Sequence, residues 1–174
     1  MRADEQEAFR EYALARKAAL LRTAYLLSGD WHRAEDIVST SMVKLYTSWR
    51  KTSAVEHLDA YVRRIVVRVW LDETRRPWRR EHSSAVLPDL MTGDSTAEPT
   101  ARRADLHRLL AQMPARQRAV LVLRFYDDLS VEQTAGILRC SEGAVKTLTV
   151  RALDSIRRLL PAGVTTRTEY EEAP

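Results

Sequence analysis

The 174-residue chain has one cysteine, Cys140, so it can form no internal disulfide. Its four histidines are scattered, and with a single cysteine they give no zinc-ligand spacing. Glycine (5) and proline (6) are scarce, which leaves little turn chemistry for a sheet, while Ala, Leu, Arg and Glu abound as in helical proteins. No apolar run approaches the ~20 residues that a membrane span needs. The opening MRADEQEAFREY is charged and acidic, unlike a signal or transit peptide. Paired carboxylates, a Cys/His pair, a Gly-rich phosphate loop and a metal cluster are all missing, which argues against an enzyme and leaves no metal or cofactor to expect. These absences point to a soluble, cytoplasmic, helical protein that binds rather than catalyses.

A further absence is local. Residues 81–101, EHSSAVLPDLMTGDSTAEPTA, contain no Lys or Arg but four acids: Glu81, Asp89, Asp94 and Glu98. Residues 1–80 carry 16 basic against 11 acidic side chains (+5), and residues 101–174 carry 12 against 9 (+3). Two basic blocks therefore flank an acidic spacer, and basic helical blocks suit polyanion partners. The spacer lacks helical period, holds two prolines and a glycine, and is rich in Ser and Thr. It reads as a flexible linker.

The periodic segments lie on either side. Residues 4–27 carry acids early and bases late, as a helix dipole favours, and Asp30 can cap the helix that follows. Residues 31–49 place Ala34, Ile37, Val38 and Leu45 on one stripe, and 50–58 lose the period. Residues 59–76 regain it, with Asp59 as N-cap, Val62, Ile65, Val66 and Val69 inward, and Arg63, Arg64, Arg68, Arg75 and Arg76 outward. Helices over 102–112 and 115–127 follow. Ser130-Val-Glu-Gln133 is a capping box that opens a helix over 131–138, and Ser141 caps a last helix over 142–160. The fold class is thus all-α: a helical bundle over 1–80, the linker over 81–101, a second helical domain over 102–160 and a frayed tail over 161–174.

The two capped segments form a helix-turn-helix pattern. Val145, Leu148, Ala152, Ile156 and Leu159 fall on one face of the last helix, with Glu142, Lys146, Thr147, Thr149, Val150 and Arg151 opposite. Lys, Arg and Thr suit guanine edges and phosphates in a major groove. A plain helical hairpin with a solvated face fits the periodicity equally well. Ser141 and Gly143 favour DNA, because a helix N-terminus offers free N–H groups to phosphate.

GDWHRAEDIVSTSMVKLYTSW (29–49) with LDAYVRRIVVRVWLDETRR (58–76) resembles region 2 of bacterial ECF (extracytoplasmic-function) RNA polymerase sigma factors. MPARQRAVLVLRFYDDLSVEQTAGILRCSEGAVKTLTVRAL (113–153) resembles region 4 of that family. The KLY..W ending and the YVRRI helix of the region 2 stretches look most like its actinobacterial SigE-like subfamily. The resemblance implies a non-enzymatic subunit that binds core RNA polymerase and directs initiation at −35 and −10 promoter elements. The runner-up reading is a stand-alone helix-turn-helix regulator, which lacks the dimer seam that palindromic half-sites require.

Residue by residue, the resemblance implies a polymerase-binding face on the second helix: Asp36, Ser39, Thr40, Val43 and Lys44, against the β′ clamp helices. Many relatives carry Gln and Glu where Ser39 and Thr40 stand. It implies −10 contacts from Lys51, Thr52, Ser53 and His57 of the loop, and from Tyr61, Arg64, Arg68, Trp70, Arg75 and Arg76 of the third helix, with core burial the competing place for Trp70. Many relatives have Asn at Arg68. It implies −35 contacts from Ser141, Glu142, Lys146, Thr147 and Arg151, with Arg116 and Arg124 on phosphates. A β-flap surface would come from leftover apolar residues among Leu109, Leu110, Val120 and Leu123. The partners implied are core polymerase, promoter DNA and an anti-sigma protein that would cover the polymerase-binding faces; membranes are not among them. In holoenzyme the chain would sit at the nucleoid. The acidic linker, 21 residues long at ~3.3 Å each, is long enough to thread polymerase as a loose nucleic-acid mimic.

Overall fold

The computed structural model describes residues 2–75 and 106–160. The linker, Arg76, the PWRR stretch and the tail lie outside the described residues. The elements are α1 (Ala3–Ser28), α2 (Trp31–Thr52) and α3 (Leu58–Thr74), then α4 over 106–111, α5 (Ala115–Leu121) running into a π-helical turn (Val122–Tyr126), α6 (Val131–Leu138) and α7 (Glu142–Leu159). The described residues contain no strand.

Local chemistry sets most of the boundaries. Gly29 ends α1 at φ 72°, where a left-handed residue is needed. At the next residue, Asp30 Oδ1 accepts from the Arg33 N–H at 2.8 Å and starts α2. The Ser130–Gln133 box closes as the sequence predicts: Gln133 N–H donates to Ser130 Oγ at 3.0 Å, and Ser130 N–H to Gln133 Oε1 at 2.8 Å. Ser141 Oγ accepts from Ala144 N–H at 3.1 Å.

Two boundaries differ from the sequence reading. Helix α2 runs through Arg50, Lys51 and Thr52, which the lost period assigns to a loop. Trp49 is buried there, edge-on to Phe9 and tilted against Tyr12, and Arg50 pairs with Glu5 at 3.1 Å. These contacts to α1 hold a turn that its own sequence would not. Helix α3 starts at Leu58, so Asp59 lies inside the first turn rather than at the cap, and His57, the N-cap, makes no side-chain cap bond. The Asp59 carboxylate is engaged elsewhere, accepting from Tyr12 Oη at 2.9 Å and pairing with Arg16 at 2.7 Å.

Helices α1–α3 enclose Leu20, Ala24, Leu27, Ile37, Leu45, Val62, Val66 and Trp70. The same buried cluster continues into the second segment through Val120, Leu123, Leu129, Ile137 and Leu138. A smaller cluster of Leu110, Met113, Leu121 and Ala152 joins α4, α5 and α7. The two segments therefore pack on each other, with α3 against α5 and α6. Of the four apolar residues offered for the flap, Leu110, Val120 and Leu123 are buried in these clusters; the exposed apolar side chains of the segment include Leu106, Phe125, Tyr126 and Val150.

Replacing Trp49 by Ala removes a buried aromatic that joins α1 to α2. It should lower unfolding stability by about 3–5 kcal/mol, read from urea denaturation.

Candidate nucleic-acid interface

Helix α7 is amphipathic in the sense the sequence predicts. Val145 and Ala152 are buried, and Leu148, Ile156 and Leu159 are half-buried. Ser155, also buried, donates through Oγ to Gln117 Oε1 of α5 at 2.8 Å. The opposite face exposes Ser141, Glu142, Lys146, Thr147, Val150 and Arg151. Thr149 is half-buried and returns its hydroxyl to Val145 O at 2.9 Å. A Cβ added at Gly143 would meet nothing closer than Ser141 Oγ at 3.9 Å, so internal packing does not require glycine there. Free space at that position keeps the backbone open to an approaching phosphate. The turn before α7 is set by Arg139 at φ 53°, a left-handed residue that is not glycine, and by Cys140, half-buried against the core.

Arg116 and Arg124 are spent inside the protein. Arg116 Nη2 donates to Leu138 O at 3.2 Å, and Arg124 Nη1 donates to Leu129 O. Leu129 precedes α6 and Leu138 ends it, so the two arginines of α5 and its π turn hold both ends of the first helix of the helix-turn-helix.

On α3, Tyr61, Arg64 and Arg68 are half-buried and Trp70 is buried, in the core that the sequence leaves as its competing place. The Arg118 guanidinium lies 5.7 Å from the Trp70 ring centroid. Burial pulls the Arg118 pKa down to about 10. Arg64 Nε and Arg68 Nη2 are buried atoms without a hydrogen-bond partner. Burial lowers the Arg68 pKa, and the nearby Arg64 and Arg139 charges lower it further. Arg75 is exposed. Lys51 and Thr52 belong to α2 rather than to the loop; Thr52 is buried and donates to Ser48 O at 3.1 Å, while Ser53 and His57 are exposed on the true loop.

The third surface is on α2. Asp36, Ser39, Thr40, Val43 and Lys44 are all exposed, at spacings of three and four, and Val43 is 61% exposed. Tyr46, 43% exposed, extends the same stripe. Sequence reasoning did not find the polar contacts between the segments: Thr23, Arg63, Arg118 and Asp127. Their partners lie up to 104 residues apart, and no local pattern marks them.

The architecture is that of a helical DNA-binding protein with a capped helix-turn-helix and a separate exposed helix face. The comparisons give the family. Residues 13–80 match the model for "Sigma-70 region 2" and residues 103–156 that for "Sigma-70, region 4". The chain is 38% identical over 157 residues to the RNA polymerase sigma-E factor of Streptomyces avermitilis, covering 87% of this chain and 84% of the relative. It is 32% identical over 162 residues to the ECF RNA polymerase sigma factor SigM of Mycobacterium tuberculosis, covering 91% and 80%. The chain belongs to the sigma-70 family, in its ECF group, whose members are non-enzymatic initiation factors. Two solved structures share its fold. One is the sigma factor RpoE with the anti-sigma factor NepR from Bartonella quintana (TM-score 0.73, 22% identity, 90% of this chain and 99% of that one). The other is CnrH with the cytosolic domain of CnrY (TM-score 0.64, 19% identity, 88% of each). No described helix is long and apolar enough to cross a membrane.

Arg124→Ala should destabilise the chain by about 1.5–3 kcal/mol, the usual worth of a hydrogen bond from a charged group. Lys146→Ala, on the exposed face, should stay within about 0.5 kcal/mol of the parent. Thermal melts of the two variants separate the scaffold arginine from the surface lysine.

Proposed function

We propose that this chain binds core bacterial RNA polymerase and directs initiation at promoters through −35 and −10 elements. The observation that carries the reading is the pairing, in one chain, of an exposed, capped α7 face with an exposed α2 stripe. They lie in the region 4 and region 2 segments respectively. A stand-alone regulator would leave the α2 stripe without a role.

In this reading α7 enters the major groove of the −35 element. Lys146, Thr147 and Arg151 meet base edges or phosphates, Ser141 and Glu142 lie at the groove wall, and Val150 offers an apolar contact to a thymine methyl. Arg116 and Arg124 act mainly by fixing α6 beneath α7. Asp36, Ser39, Thr40, Val43 and Lys44 dock on the β′ clamp helices. Ser53, His57, Tyr61, Arg64, Arg68, Arg75 and Arg76 serve the −10 strand, with Lys51 and Thr52 at the rim of α2 and Trp70 at the base of the site. Stacking of flipped bases is worth ~1–3 kcal/mol each, the scale of a base-pair step, so trapping them drives melting without ATP. An anti-sigma protein, as NepR is to RpoE in the first structural neighbour, would regulate the chain by covering these faces. The place of action is the nucleoid, within holoenzyme.

Run-off transcription with core polymerase, with and without the chain, tests the reading; it fails if the chain neither binds core nor starts transcription at a new promoter. Lys146→Ala and Arg151→Ala should each weaken −35-dependent initiation by about 1–3 kcal/mol in binding terms while core binding is kept. Loss of core binding in either variant would move the polymerase face onto α7.

A further inference from the structure

The buried residues of α1 all lie in its second half, from Leu20 to Leu27. Its first half is used differently. Glu5, Phe9, Tyr12 and Arg16 follow one another at steps of four, three and four, so they share one face of the helix. All four reach residues at the two ends of a single loop.

The loop is 53–57, between α2 and α3. On its α2 side, Glu5 Oε2 accepts from Arg50 Nε at 3.1 Å, and Phe9 meets the Trp49 ring edge-on with centroids 5.2 Å apart. On its α3 side, Tyr12 Oη donates to Asp59 Oδ1 at 2.9 Å, and Arg16 Nη2 stands 2.7 Å from Asp59 Oδ2. Tyr12 touches the first end as well, tilted against Trp49 at 5.7 Å. Burial and the bond to the Asp59 carboxylate push the Tyr12 pKa up, so the phenol stays protonated and remains a donor. One helix face therefore ties the last turn of α2 to the first turn of α3.

The loop has few contacts of its own. Residues 53–57 are exposed, and His57, the N-cap of α3, makes no side-chain cap bond. A cleft of about 400 Å³ opens beside the loop, with Tyr12, Arg16, His57, Asp59, Arg63 and Gln133 among its lining residues, so packing does not press on that side. A loop placed this way takes its shape from its ends. Asp59 also favours the positive end of the α3 dipole, but that effect needs neither Tyr12 nor Arg16.

We propose that Glu5, Phe9, Tyr12 and Arg16 form a brace that sets the conformation of loop 53–57, with Tyr12 and Arg16 as positioning residues for the base choice made at the −10 element. The proposal rests on the sigma-factor reading, in which Ser53 and His57 of this loop serve the −10 strand. Neither Tyr12 nor Arg16 has to touch DNA. Recognition groups discriminate only while they stay within about 0.5 Å of their productive places, and that tolerance is met by the shell that supports them. Asp59, the residue the brace holds, is two positions from His57.

The test uses the full chain, core polymerase and templates randomised in the −35 and −10 regions, each with a downstream tag that its transcript carries. Counting tags gives the base preference at each −10 position. Tyr12→Phe combined with Arg16→Ala removes both partners of Asp59 and keeps the ring on Trp49. It should lower the preference at one or more −10 positions by about fivefold, the worth of one hydrogen bond and one half-exposed ion pair. Core binding, read by pull-down, should be kept. Arg16→Lys alone retains the cation and should retain the parent's preference. In the same double variant, hydrogen exchange should quicken at the amides of residues 53–60 and not at those of 36–44. An undiminished −10 preference overturns the proposal. So does an equal loss on every template, a loss of core binding, or unchanged exchange in the loop. If the parent chain initiates from no template, the sigma-factor reading is what has failed, and the exchange measurement still decides whether α1 holds the loop.

Discussion

Helix α3 is subject to a constraint that organises the molecule. Val62, Val66, Val67, Val69 and Trp70 are buried, so the helix is apolar on more than one side. The same 17 residues carry Arg63, Arg64 and Arg68. A helix so apolar must be covered, and one so basic cannot be covered without bringing guanidinium groups close to the interior. The outcome is visible in the packing. Helices α1 and α2 take one side and the second segment takes the other. Arg63 meets a carboxylate, while Arg64 and Arg68 keep buried N–H groups with no acceptor. Everything around α3 is a way of accommodating those three cations.

The second segment meets a different demand: it must hold a short helix at a fixed angle. Helix α6 has eight residues, fewer than an isolated helix needs in water. It is held by its capping box, by burial of Ile137 and Leu138, and by two arginines reaching to the carbonyls at its ends. Arg116 and Arg124 are thus part of the frame that holds α6. The α7 face is then presented by a frame built from residues other than those exposed on that face.

How much of this was legible in the sequence depended on the range of the interaction. Caps at Asp30, Ser130 and Ser141 were readable because donor and acceptor lie three residues apart. The all-helical class and the buried face of α7 followed from periodicity. The end of α2 did not, because Trp49 and Arg50 are fixed by α1 residues some forty positions earlier. Asp59 has the right chemistry for a cap, yet Tyr12 and Arg16 of α1 claim it. The contact between the two segments was invisible for the same reason on a larger scale. Thr23, a lone hydroxyl within the first helix, gave no hint of a partner near residue 127.

The π turn over Val122–Tyr126 carries a consequence of its own. Asp127 N–H reaches back five residues to Val122 O, at 2.9 Å. One residue more than an α-turn is thereby absorbed, and an α-helix advances ~100° per residue. The wider turn thus acts as a vernier on the angular phase of the chain. It lets Val120 and Leu123 face the core, leaves Phe125 and Tyr126 outward, and still returns Asp127 toward α1. A single-residue slip in this one turn would rotate the helix-turn-helix relative to α1–α3 without altering any side chain on the exposed α7 face.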